Sequence, residues 1–304
     1  MNNSSIYTRR ITISAVFLSI ALVAKTAFSF YIPLFGESGM RVGISGIFSI
    51  MPSLLFGPLY GAVTSGLSDI LGYLLKPTGA FIPIMTIIMA LGGFVRGLIW
   101  FALMNKNTKK IRIMVGVFSF LLLVVGISNS VFLSKDGIDR SFYDDVKVEE
   151  INTENMHLIS RMMITRTITT KNPGANLKTH LIFVTTGIIC AAGLGIVLLT
   201  ADWIISRTKE NRERESQIPQ LLIAMIVSGL LVTSLNTLVL RETAFPAWKA
   251  LPFTVVWIPR VIEEIISNTV KAYFVAGLLG VFEKQKGLKE LINLSSMKKE
   301  KLKS

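Results

Sequence analysis

Leu54-Leu55-Phe56-Gly57-Pro58-Leu59-Tyr60-Gly61-Ala62, continuing through Gly66-Leu67-Ser68-Asp69-Ile70-Leu71-Gly72-Tyr73, is the stretch that decides the fold. Gly57, Gly61, Ser65, Asp69 and Tyr73 recur every four residues, which places them in one row along a helix. The Gly and Ser part of the row lets another backbone come close, the device that packs helices where lipid supplies no hydrophobic drive. Asp69 lies about 18 Å along the axis from Gly57. A carboxylate at that depth is expensive in lipid, so it faces a water-filled cavity or a partner. Two readings stay open for it: a ligand-binding acid, or a structural acid that caps a broken helix or pairs with a Lys.

Composition extends this reading to the whole chain. Of 304 residues, 51% are apolar and only 17% are charged, against roughly 25% charged in soluble domains. Mean hydropathy is +0.57. A water-soluble globule of this size would lack the polar surface to cover its core, so that class is excluded. The single cysteine, Cys190, sits in an apolar run, so no disulfide can form within the chain. His157 and His180 lie in or beside a polar stretch, too isolated for a metal cluster. No phosphate-cradling loop motif is present, so the chain is not expected to use ATP itself. The expectation is an all-α membrane protein, not an enzyme, with no cofactor.

Apolar runs set the organisation. Candidate spans are Ile11–Tyr31, Val42–Phe56, Pro58–Leu75, Phe81–Met104, Ile111–Leu133, Leu181–Ile205, Ile218–Leu240 and Leu251–Phe282, about eight spans at roughly 20 residues each. The polar stretch 134–178 reads either as a small lid or as a flexible connector, with a strand-like segment at Met163–Thr170; the connector reading is preferred. Arg9-Arg10 before the first run resembles the start of a secretory signal. However, the run continues through Lys25 to Tyr31 without a small-residue cleavage site, so it reads as an uncleaved helix.

The net charge of +13 does not indicate a nucleic-acid partner, because the basic residues cluster at the ends of apolar runs. The clusters are Arg9-Arg10; Lys106, Lys109, Lys110 and Arg112; Arg207, Lys209, Arg212 and Arg214; and the tail from Lys284 to Lys303. That is the positive-inside pattern of a multi-pass protein of the cell membrane, with both termini cytoplasmic. Long loops cross with little regard to charge, so 134–178 fits on the outer side.

Four basic residues lie within or beside spans. Lys25, Arg41 and Arg260 map to the outer third, whereas Arg96 lies nearer the inside and reads as structural. Pro259 suits the first turn of a helix, which would put Arg260 at a positive helix end suited to an anion. The alternative is a self-neutralising stripe of Arg260, Glu264, Asn268 and Lys271, with Arg260–Glu264 paired one turn apart.

The stretch Arg41-Val-Gly-Ile-Ser, Pro52, and the quoted segment from Leu54 to Tyr73 together resemble the substrate-binding (S) component of energy-coupling-factor (ECF) vitamin transporters. So do Pro77-Thr78-Gly79-Ala80-Phe81, Ala90-Leu91, Leu235-Asn236-Thr237-Leu238 and Pro259-Arg260. Within those transporters the folate-specific family is the most similar. The resemblance implies a six-helix bundle that binds a vitamin near its outer face and docks on a membrane scaffold (T) subunit coupled to two ATPase subunits. It also implies that small residues on the first helix contact the scaffold, here Ala15 and Ser19. Spans 5 and 6 then look like an insertion. The implied divisions are 1–110 (spans 1–4), 111–216 (inserted hairpin with loop 134–178), 217–282 (spans 7–8) and 283–304 (basic cytoplasmic tail).

The expected substrate-binding residues are Lys25, Arg41, Asp69, Tyr73, Asn236, Trp257 and Arg260. Asp69 would read a pterin ring, with Tyr73 above it on the same row. Trp257, Phe30 and Tyr31 would stack on the ring, and Lys25, Arg41 and Arg260 would hold the anionic tail of folate. Glu263-Glu264 stands where the resemblance would place a basic or amide residue. Rival readings are an S component for thiamine, pantothenate or a deazapurine, or a membrane enzyme or assembly factor centred on Asp69, Glu263 and Glu264.

Overall fold

The computed structural model describes residues 3–35, 37–77, 79–138, 151, 153–168, 173–208 and 217–285. The basic tail and most of the acidic part of 134–178 lie outside the described residues. The order is α1 (Asn3–Ala27), β1 (Ser29–Leu34), β2 (Glu37–Gly43), α2 (Ser45–Ser49), α3 (Met51–Phe56), α4 (Pro58–Leu75), α5 (Pro83–Leu103) and α6 (Thr108–Lys135). It continues with α7 (Leu158–Ile168), α8 (Pro173–Ile182), a π-helical turn (Phe183–Gly187), α9 (Ile188–Thr208), α10 (Ile218–Thr243), α11 (Pro246–Lys249) and α12 (Phe253–Lys284).

The protein is an all-α membrane protein. Among the described residues, six helices are long and apolar enough to cross a membrane: Ser4–Ala27, Pro83–Leu103, Thr108–Lys135, Gly174–Ser206, Ile218–Thr243 and Phe253–Phe282. The expected second and third spans fall outside this set. Ser45–Phe56 is a shorter apolar segment, and every residue of α3 is buried. Helix α4 has 18 residues, but its row of Gly, Ser, Asp and Tyr makes it less apolar. Helix α3 is shielded by protein and needs no apolar outer surface, whereas α4 keeps an exposed apolar face at Leu59, Val63, Leu67, Ile70 and Leu74.

Gly57 makes the junction between α3 and α4 at φ 104, a conformation open to glycine and strained for other residues. Pro58 then begins α4. One turn on, α4 crosses α5 at Gly61 and Gly93, where a methyl on either residue would collide with the other's carbonyl. This contact fulfils the expectation of close backbone approach.

The first span ends at Ala27, four residues earlier than expected, because the chain turns into an antiparallel hairpin. Its register pairs Ser29 with Gly43, Phe30 with Val42, Tyr31 with Arg41 and Ile32 with Met40. The aromatic and β-branched residues from Phe30 to Ile32 suit a strand, a signal hidden within a continuous apolar run. The hairpin covers one end of the bundle. Its Leu34 and Met40 pack with Trp248, Leu251, Val255 and Val256.

The described residues of the stretch after α6 are packed, which corrects the connector reading. The expected strand is helical in its described part: Met163 to Ile168 belong to α7, and residues 169–170 lie outside the described residues. Met163 and Ile164 join Leu133, Ile138, Leu177, Leu181 and Val184 in a separate apolar cluster. Asn129 of α6 donates to the carbonyl of Val184 at 2.9 Å, satisfying backbone within the π-helical turn. Arg112 of α6 and Asp202 of α9 form a buried ion pair at 2.9 Å.

Candidate functional site

The hairpin bridges two groups of the expected site residues. At its base, Arg41 of β2 donates to the carbonyl of Lys25 and to Ser29 Oγ, each at 3.0 Å. Its guanidinium also lies 5.6 Å from the Tyr31 ring centroid. Arg41 therefore belongs to a strand and does not open a helix.

Lys25 of α1 lies across Gly72 and donates to the carbonyl of Ser68 at 3.1 Å. Asp69 and Arg41 both act on it electrostatically. Asp69 Oδ2 accepts from Thr86 Oγ1 of α5 at 2.8 Å, a partner with no signal in the sequence. Tyr73 is turned along the same face: its hydroxyl donates to the carbonyl of Gly79 at 3.3 Å, and its ring meets Phe81 at 5.1 Å.

The tip of the hairpin reaches the second group. Trp248 Nε1–H donates to the carbonyl of Leu34 at 3.1 Å, and the Arg260 guanidinium lies 5.3 Å from the Trp248 ring centroid. Arg260 does not sit at a helix start. Helix α12 begins at Phe253 with Pro259 inside it, so the helix-end argument for an anion fails there. An interior proline removes one backbone donor, and in membrane helices neighbouring groups compensate for it. Trp257 is one turn from Phe253, stacked on it at 6.1 Å, and its indole donates to Ser234 Oγ of α10 at 2.8 Å.

Between these groups, α5, α10 and α12 enclose polar residues. Asn236 is 8% exposed, and its Oδ1 is enclosed without a hydrogen-bond partner. Glu264 accepts from Thr233 Oγ1 at 3.1 Å and from Asn268 Nδ2 at 2.8 Å. Arg96 Nε donates to Ser228 Oγ at 3.2 Å. The expected stripe is real in its Glu264–Asn268 step, but Glu264 is held across helices by Thr233. Sequence reasoning left out Thr86, Ser228, Thr233 and Trp248, because each works through a contact distant in the chain. Among the described residues no cluster of three or more His, Cys, Asp or Glu side chains suits a metal ion.

On the exposed side of α1, Ala15 and Ser19 lie on a face with Ile11, Val16, Ile20 and Val23, while Ala21 and Ala24 turn into the core. Ser19 Oγ is tied back to the carbonyl of Ala15 at 2.9 Å, so this face presents little polarity.

Residues 5–171, more than half of the chain, match the family model for the S component of ECF-type riboflavin transporters. The chain belongs to that family. This S component is also similar to the folate transporter FolT of Clostridium novyi (strain NT), at 29% identity over 94 residues, covering 31% of this chain and 53% of that one. It thus spans about half the length of that curated relative. No solved structure matches it. The S component is a multi-pass membrane protein.

Proposed function

We propose that this chain is the substrate-binding subunit of an ECF-type vitamin importer and that its ligand is folate or a related pterin. The observation that carries the reading is the hairpin. It is tied to Lys25 at its base and clasped to Trp248, beside Arg260, at its tip. Fixed cations at both ends of one cover suit a ligand with a planar ring and a carboxylate tail, because charge-assisted hydrogen bonds answer carboxylates well. The similarity to a folate transporter supports the ligand; the family assignment supports the broader class.

In this reading the hairpin end faces outward and Asp69, Tyr73, Asn236 and Trp257 line the binding region. The exposed Ala15–Ser19 face of α1 meets a scaffold subunit that carries two ATPases. The chain performs no chemistry of its own. Helices α6 and α9 pack along each other while α10 packs directly on α5, which supports the division into a bundle (1–110 and 217–282) with an inserted hairpin (111–216).

Calorimetric titration of the purified full chain with folate, pterin and riboflavin tests this. We expect saturable binding of folate and pterin, with riboflavin weaker. Binding of none of the three, or turnover of a bound ligand, would overturn the reading.

A further inference from the structure

Arg96 and Glu264 are opposite charges held apart. Arg96 is fixed to Ser228 and Glu264 to Thr233, two residues of α10 five positions apart and about 7.5 Å along its axis. Arg96 lies in the field of Glu264, yet no ion pair joins them among the described residues. Gly229 adds to this arrangement, since a methyl there would collide with the Glu264 carboxylate and the Asn268 amide. Two half-buried opposite charges gain most from contact in a low-dielectric interior. Keeping them apart requires groups that complete both.

The unused hydrogen-bonding capacity defines those groups. Arg96 makes one hydrogen bond among the described residues, through Nε, so its terminal N–H donors remain for an acceptor. Each oxygen of Glu264 takes one protein donor, which leaves lone pairs for two parallel N–H donors. The Oδ1 of Asn236, one turn nearer the hairpin on α10, has no hydrogen-bond partner among the described residues. Depth agrees with this assignment. Helices α5 and α12 both start at the hairpin end, and Arg96 and Glu264 lie about 20 Å and 17 Å along them. A ring at that depth leaves its tail directed toward Arg260, Lys25 and Arg41.

Resting on the function proposed above, we infer that Arg96, Glu264 and Asn236 are the specificity-determining residues, reading a flat heterocycle with an amino-amide edge. Two adjacent N–H donors face Glu264, and a neighbouring ring acceptor faces Arg96. A 2-amino-4-oxopyrimidine ring, as in pterins, has that order. A pyrimidinedione edge, as in flavins, sets a carbonyl on each side of a single N–H, which brings a carbonyl oxygen against the Glu264 carboxylate.

The test uses the purified full chain and two probes, pterin and lumazine, the latter carrying a carbonyl where pterin has its 2-amino group. Wild type should bind pterin at least about tenfold tighter than lumazine, and Glu264→Gln should abolish that preference. The double variant Arg96→Gln/Glu264→Gln, with no charge left unpaired, should keep its unfolding temperature and lose pterin binding by at least about a hundredfold. A preference that survives Glu264→Gln would overturn the inference, as would a double variant that binds pterin like wild type. If the double variant fails to fold, Thr233→Val keeps the charge but frees the carboxylate, and an unchanged pterin preference there also overturns it. Folate binding by wild type together with any of these results leaves the transporter reading standing; absence of folate and pterin binding by wild type counts against that reading itself.

Discussion

Trp248 and Leu34 are 214 positions apart, yet the indole N–H of one donates to the carbonyl of the other at 3.1 Å. Trp248 is fully buried, and its contact fastens the hairpin tip to the segment between α10 and α12. Removing only the donor separates the clasp from the ring's packing. Trp248→Phe should lower stability by about 1 kcal/mol and speed hydrogen exchange at the Leu34 and Met40 amides. Unchanged exchange in β1 and β2 would show that packing alone holds the hairpin.

Ala15 is exposed on α1 and contributes nothing to the core. A bulky residue there should leave folding and ligand binding intact while blocking close approach of a scaffold helix. Ala15→Trp is therefore expected to bind folate like wild type in titration and to abolish uptake in cells that express the complete transporter. Normal uptake would remove this face from the coupling surface.

The tail assignment is separable from the ring assignment. In the proposed site Arg41 and Arg260 hold the carboxylates of folate, and loss of a desolvated charged partner costs about 2–5 kcal/mol. Arg260→Ala should weaken folate binding by at least about tenfold. Arg41→Ala should weaken folate more than tail-free pterin. Equal losses for both ligands with Arg41→Ala would sink the tail assignment alone.

Asp136 accepts from the backbone N–H of His157 at 3.2 Å and lies 2.7 Å from its Nδ1. The neighbouring Ser160 hydroxyl, followed by the hydrogen bonds from His157, holds its carboxyl below the ordinary carboxylate range. A folded-state value below the unfolded one stabilises the protein above the unfolded pKa, about 3.9, and that stability is lost as pH falls through the folded value. Wild type should therefore unfold at a higher temperature than Asp136→Asn near neutral pH, with the gap shrinking on acidification below about pH 4. Circular dichroism melts across that range check this; a gap independent of pH would rule it out.

Arg112 and Asp202 join α6 to α9. Removal of one partner leaves a buried charge uncompensated, at about 3–5 kcal/mol, whereas replacing both with apolar residues is often neutral. Arg112→Met and Asp202→Leu should each lower the unfolding temperature, and the double variant should recover most of the loss. Additive losses would mean that the two residues act independently.

The membrane class, six of the eight expected spans and the tight crossing at α4 followed from sequence alone, because they depend on local quantities. Apolar runs, four-residue periodicity and the Gly57-Pro58 junction each act within a few turns of one helix. The same locality hid the hairpin, since strand-favouring residues within a continuous apolar run are masked by their neighbours. It also misplaced Arg260, because a proline that would begin a helix in isolation is tolerated within α12 by the surrounding bundle. Asp69, Lys25 and Arg41 were legible as costly intramembrane charges, but their partners were not: Thr86, Ser68 and Ser29 lie on other elements or in another part of the chain. The separation of Arg96 from Glu264 was decided entirely by tertiary structure. Nothing in either residue's neighbourhood specifies that two hydroxyls of a third helix hold one cation and one carboxylate, and only the packing of α5, α10 and α12 brings those four side chains together.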